Sequence, residues 1–151
     1  MTVIMMVSCA TTKETRAYRK IIDGDWKLQT ITTEGITGKF NVLLFNEQEL
    51  PCLVESDWHF NSANSLGTYT TTKFGNQCLA VKRNIRWSVY EVKNEPQLLQ
   101  FKRLDDKLNP MDGGAGYRFI ISLLDKTNML LKTYISFENK PAWVIYNFVK
   151  Q

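Results

Sequence analysis

The chain has 151 residues, the size of one domain and enough to bury a full hydrophobic core. Its composition is 44% hydrophobic and 12% aromatic, and such an aromatic share suits β-strands. A net charge of +4 is too small to indicate nucleic-acid binding by itself, and no apolar run reaches the roughly 18 residues of a membrane-spanning helix.

The N-terminus is apolar up to Ser8-Cys9, and a polar run begins at Ala10. An abrupt change from apolar to polar residues is typical of a signal-peptide cleavage site. Residues 1–8 look like the second half of a signal peptide that ends in a bacterial lipobox, with Cys9 as the lipidated residue and 9–20 as the tether. The alternative is a short apolar tail with an incidental cysteine. The first interpretation predicts an outer-membrane lipoprotein that faces the periplasm or the cell surface.

The tripeptide Gly24-Asp25-Trp26 opens the first predicted strand, residues 26–33. Glycine lets the backbone turn tightly into a strand, and tryptophan can plug one end of a small β-barrel with a large apolar group. Residues 10–22 fit a short helical turn or the tether. We expect a single domain over residues 21–151.

A strand followed by one helical turn is predicted between Phe40 and Pro51. Asn46 is a plausible N-cap with Glu49 at the N3 position, and Pro51 would end the turn.

The later strand-like segments are short, rich in β-branched and aromatic residues, and separated by turn residues. They cover residues 57–60, 68–73, 84–92, 97–104, 117–124, 129–137 and 142–149. Ile85 and Trp87 alternate with Arg86 and Ser88, which predicts a strand with one buried face. Together the segments predict an all-β fold, an antiparallel up-and-down barrel of about eight strands, because closure at that number removes exposed edges.

Two segments depart from this simple pattern. The glycine-rich loop 105–116 is long for a β connection, and such loops are usually functional or mobile. The last strand is apolar on both faces, since Trp143 and Ile145 alternate with Val144 and Tyr146. We therefore expect a cover outside the barrel, from residues 10–22 or from the helical turn near Glu47.

Cys52 and Cys78 are the natural disulfide pair if Cys9 carries lipid and the chain is exported to an oxidising compartment. The alternative is two free, buried thiols, a common state of cysteine.

The lipobox-like cysteine, the polar tether, Gly24-Asp25-Trp26 and the strand meander together resemble bacterial lipocalin-like lipoproteins. Residues 22–28 and 84–90 are most similar to that family, and the resemblance covers residues 21–149. It implies a calycin-type barrel that is exported and membrane-tethered. It also implies a basic residue on the motif's tryptophan near the end of the last strand, where Lys150 is the candidate.

No nucleophile elbow, phosphate loop or dinucleotide fingerprint is present, so we predict a protein that is not an enzyme and needs no cofactor or metal. His59 alternates with Trp58 and Phe60 and is expected to be a partly exposed strand residue. The adjacent Asp105 and Asp106 are expected to face solvent.

The basic residues Lys82, Arg83, Arg86, Lys102 and Arg103 are interpreted as an ordinary solvated face, without a nucleic-acid partner. A minority interpretation turns Arg86 or Arg118 into the barrel to meet a ligand carboxylate.

Inward aromatic residues are the main candidates for a ligand cavity, since barrels of about eight strands can hold one small ligand. They are Trp26, Trp87, Phe101, Phe119 and Trp143. The same residues could instead fill a solid core. The sequence thus predicts a membrane-anchored binder of a small hydrophobic or amphipathic ligand, with a filled-barrel structural or protein-interaction lipoprotein as the alternative.

Overall fold

The computed structural model describes residues 12–38, 43–45, 47–73 and 78–151. Cys9 and the lipobox-like segment lie outside the described residues, as does Asn46. The α-helix and β-strands of the described chain are α1 (Lys13–Ile22), β1 (Gly24–Glu34), β2 (Leu43–Leu44), β3 (Gln48–Glu49), β4 (Asp57–Asn61), β5 (Leu66–Thr70), β6 (Lys82–Tyr90), β7 (Leu98–Leu104), β8 (Tyr117–Leu124), β9 (Asn128–Phe137) and β10 (Lys140–Lys150).

Eight of these strands form a closed antiparallel barrel in the order β1-β10-β9-β8-β7-β6-β5-β4. From β4 to β10 each strand pairs with the next one along the chain, and β1 closes the ring by pairing with both β10 and β4. The two short strands β2 and β3 pair with each other outside the ring. The predicted all-β fold, an antiparallel up-and-down barrel of about eight strands, is therefore confirmed.

The core lies inside the ring, and strand alternation places it there. Trp58 and Phe60 of β4 are buried while His59 between them is exposed. In β6, Ile85 and Trp87 are likewise buried. This is the period of two that the sequence predicted.

One end of the barrel is closed by α1, which is capped by the Thr12 hydroxyl and packs against β6. The segment predicted as a tether thus contains a helix from Lys13 onward. At the other end, called here the mouth, β1 finishes at Glu34, and the described residues 47–56 and 78–81 lie there together with the loop 105–116.

The helical turn predicted to end at Pro51 is wrong. Gln48 and Glu49 form β3, and a 3₁₀ helix then runs over Leu50–Leu53 with Pro51 in its first turn. Proline suits that position because the N–H that it lacks would have no partner inside the helix.

The prediction that residues 10–22 cover the outer face of β10 is wrong, because α1 packs against β6 at the closed end. Ala142, Val144 and Tyr146 point inward and are buried. Trp143 faces outward and packs edge-on against Tyr134 of β9, with ring centroids 5.5 Å apart. The prediction that Trp143 lines the interior is therefore wrong, because the alternation of β10 that places Val144 and Tyr146 inside turns Trp143 outward.

Candidate functional site

The closed end is sealed around Trp26. Its side chain is fully buried, and its indole nitrogen donates to the Ile22 carbonyl at 2.7 Å. Lys150 Nζ lies 4.7 Å from the Trp26 ring centroid and donates to the Ile21 carbonyl at 2.8 Å. Burial lowers the pKa of Lys150, against the attraction of Asp23 and Asp25. The basic residue implied by the family resemblance is thus at the expected place.

The barrel interior is almost completely filled. Its cavity has a volume of about 10 Å³, close to that of one water-sized sphere. The walls are entirely apolar or aromatic and include Leu28, Phe45, Trp58, Phe101 and Phe119. In this conformation the described side chains leave no room for a ligand, which matches the solid-core alternative.

Phe45 fills the space beneath the mouth. It is 3% exposed, and its ring centroid lies 4.7 Å from that of Tyr117 and 5.3 Å from that of Phe101. The other residues that line the cavity belong to barrel strands, whereas Phe45 lies between β2 and β3. Its φ of 58° is unusual for a bulky residue. The plug of the barrel is therefore supplied by residues 43–45 and 47–53, here called the mouth segment.

Glu47 of the same segment places a carboxylate beside the plug. It accepts hydrogen bonds from Arg83 Nε at 3.0 Å, from Arg103 Nη1 at 2.7 Å and from the Tyr69 hydroxyl at 3.3 Å. The side chain of Glu47 is 12% exposed. These three donors surround one carboxylate. They hold it firmly, because hydrogen bonds between charged groups are strong and the site is largely shielded from water.

Arg103 is the centre of this polar cluster. Its guanidinium is buried, and it grips Asp112 of the long loop through two bonds of 2.8 Å. The hydrogen bond to Asp112 raises the pKa of Arg103 further and lowers the pKa of Asp112. Burial raises the pKa of Tyr69 to about 12, so its hydroxyl keeps its proton and can donate.

The rest of the mouth segment is tied to the connection between β5 and β6. Cys52 and Cys78 are joined by a disulfide, with Cα atoms 5.3 Å apart. The Gln48 side-chain carbonyl accepts from the Leu79 N–H at 2.8 Å. The segment is thus anchored on the C-terminal side of Phe45 and Glu47.

Two predicted cavity residues, Arg86 and Arg118, lie outside the barrel. Arg86 is exposed between the inward Ile85 and Trp87. Arg118 is exposed, donates to the Gln100 side chain at 2.8 Å and lies over the Tyr90 ring. Both predictions are wrong because strand alternation turns these side chains outward. Trp26, Trp87, Phe101 and Phe119 do lie inside.

The prediction that Arg83 and Arg103 belong to a solvated face is wrong, because both pair with Glu47 at the mouth. The alternation that places Ile85 and Trp87 inside also places Arg83 inside, and Phe101 has the same relation to Arg103. That signal was present in the sequence. The approach of Glu47 was not, because it comes from a segment without strand periodicity.

His59 is half-exposed and lies 2.7 Å from Asp25, as suits a surface strand residue. Among the described residues, no group of three His, Cys, Asp or Glu side chains is arranged to hold a metal. The helix in the described part of the chain is too short and too polar to cross a bilayer.

No family model and no curated protein matches the sequence. Among solved structures, the chain is similar to the complex of bovine odorant binding protein with a selenium-containing odorant. The identity is 12%, the match covers 94% of this chain and 78% of that chain, and the TM-score is 0.38. The strand order and the two contrasting ends define the chain as an eight-stranded up-and-down β-barrel with one sealed end and one plugged mouth.

Proposed function

We propose that the protein binds a small amphipathic molecule in the barrel. This molecule enters through the mouth as Phe45 withdraws. The observation that carries this proposal is the origin of the plug. Phe45 belongs to the mouth segment, so its side chain can leave the barrel interior without breaking hydrogen bonds between the barrel strands. Its withdrawal would open an apolar space the size of a benzyl group.

The energetics make such an exchange reasonable. Exposing the Phe45 ring costs roughly 1.5–3 kcal/mol, and a ligand with a similar apolar group recovers that amount by its own burial. Release also relieves the positive φ of Phe45, a conformation that costs roughly 1–3 kcal/mol. Plug and ligand therefore gain similar free energy from burying an apolar group in this site.

The test is a titration, followed by calorimetry, with 3-phenyl-1-propanol, a neutral molecule that carries the same phenyl ring as the plug. Saturable binding to the wild type, tightened in Phe45→Ala, supports the proposal. Tyr134→Ala, which removes an exposed outer ring, is the control and should bind as the wild type does. Binding to Phe45→Ala alone would mean that Phe45 is a permanent core residue, and the proposal would be wrong.

A second candidate function is protein docking on the outer face of β8–β10. Tyr134 is 57% and Leu123 48% exposed, and the outward Trp143 packs edge-on against Tyr134. Apolar residues in contact on a surface are a common mark of an interface. A photo-crosslinking residue at 134 should capture a partner in the cell envelope, whereas the same residue at the exposed Lys102 should not.

We also propose that the protein is an exported lipoprotein anchored through Cys9. The lipobox-like sequence supports this, as does the disulfide, since disulfides persist in oxidising compartments. Cys9→Ser, expressed from the complete gene, should move the protein from the membrane fraction to the soluble one. Unchanged fractionation would rule out this anchor.

A further inference from the structure

We propose that the ligand is a monocarboxylic acid, whose carboxylate replaces that of Glu47 and whose apolar group replaces the Phe45 ring. This inference rests on the proposed function and adds the chemistry of the ligand. Phe45 and Glu47 then act together as an internal competitor that occupies the site until the acid arrives.

The geometry joins an apolar site to an anion site. The guanidinium carbon of Arg103 lies 5.7 Å from the Phe45 ring centroid, while Nη1 of Arg103 lies 2.7 Å from the Glu47 carboxylate. One side chain therefore contacts both parts of the competitor. A molecule with a ring or short chain next to a carboxylate reproduces both contacts.

The charges favour a single negative head group. The cluster holds two cations, Arg83 and Arg103, and two anions, Glu47 and Asp112. When Glu47 leaves, one positive charge is left uncompensated in a site that is largely buried. A monoanion restores neutrality, a neutral head group leaves a charge unpaired, and a dianion adds an excess negative charge.

The donors also match a carboxylate in shape. Arg83 and Arg103 hold different oxygens of the Glu47 carboxylate, and the Tyr69 hydroxyl reaches the oxygen that Arg103 holds. Any carboxylate in this position offers two acceptor oxygens to these three donors. An alcohol offers a single oxygen and leaves at least one guanidinium without its acceptor.

The size of the vacated space limits the apolar group. The interior adds only about 10 Å³ to the volume of the Phe45 side chain. In 3-phenylpropanoate the ring would take the place of the Phe45 ring, and the two methylenes and the carboxylate would take the place of the Glu47 side chain. Its alcohol, 3-phenyl-1-propanol, differs only at the head group.

The experiment compares these two compounds by calorimetry on the wild type and on Glu47→Gln. Removing the competing charge should raise the affinity for 3-phenylpropanoate roughly tenfold and leave that for the alcohol unchanged. Arg103→Met should remove the preference for the acid. Lys102→Met, which removes the exposed neighbouring cation, should behave as the wild type does.

If Arg103→Met does not fold, as judged by circular dichroism, the half-buried Arg83→Gln replaces it and should reduce the preference. Equal affinities for acid and alcohol in Glu47→Gln would overturn this inference while leaving the proposed function intact. Failure of both compounds to bind to any of these proteins would overturn the proposed function itself. Loss of acid binding in Lys102→Met would show that the acid binds on the outer surface, and this inference would be wrong.

Discussion

Lys150, in the last strand, lies over the indole of Trp26 in the first strand, and its ammonium also donates to the Ile21 carbonyl. The pair joins α1 and the two strands that close the ring at the end opposite the mouth. These contacts hold the closed end of the barrel together. The mouth segment can therefore change its conformation while the barrel stays closed.

Replacing Lys150 by methionine tests these contacts. The change keeps most of the apolar stem but removes the cation–π contact and the hydrogen bond to the partly buried Ile21 carbonyl. We expect the free energy of unfolding to fall by about 1–3 kcal/mol in urea titrations. Lys140→Met, at the exposed start of the same strand, should change it by less than about 0.5 kcal/mol. Equal effects would mean that the Trp26 contact does not stabilise the fold.

Gly24 is required at the entry to β1 for two reasons. Its φ is +111°, and an added Cβ would lie 3.3 Å from Cε and Nζ of Lys150. Gly24→Ala should therefore destabilise the protein by about 1–3 kcal/mol. At Gly116 an added Cβ would meet only ordinary contacts of 3.7 Å, so Gly116→Ala is the matched control. A neutral Gly24→Ala would contradict this account.

Much of the barrel was predictable because alternation and turn residues are local signals. The segment 117–124 was predicted with the bounds that β8 has, and the inward position of Trp87 follows from its neighbours. Strand alternation also places Arg83 and Arg103 inward, but charge alone suggested a solvated face. An arginine can be buried only when an anionic group pairs with it. Here that group is Glu47, which comes from a segment distant in sequence.

The disulfide between Cys52 and Cys78 should stabilise the fold chiefly by restricting the unfolded chain. With a sequence separation of 26, the chain-entropy model gives about 3–4 kcal/mol. The double variant Cys52→Ser/Cys78→Ser should lose about this amount in urea unfolding. Its stability should not respond to a reductant, whereas that of the wild type should. A wild type that is insensitive to the reductant would contradict the disulfide.

Asp112 should make the stability pH-dependent. The hydrogen bond from Arg103 lowers its folded-state pKa below the ordinary value of 3.8. Its contribution is therefore complete above about pH 4 and is lost as the pH falls through the lowered pKa. We expect Asp112→Asn to be about 1–3 kcal/mol less stable than the wild type at pH 7, with the difference shrinking below about pH 4.

Asp106→Asn, an exposed change in the same loop, is the control for this pH series. It should follow the wild-type stability curve throughout. A constant difference between wild type and Asp112→Asn across the acid range would contradict the ion pair with Arg103.

The central claim is that a ligand enters the barrel by displacing Phe45. The most direct measurement is an NMR structure of the wild type with saturating 3-phenylpropanoate. The account predicts intermolecular contacts from the ligand ring to the interior residues Phe101 and Phe119, and loss of the contact between Phe45 and Tyr117. A Phe45 ring that stays in place, with ligand contacts confined to the outer residues Tyr134 and Trp143, would contradict it.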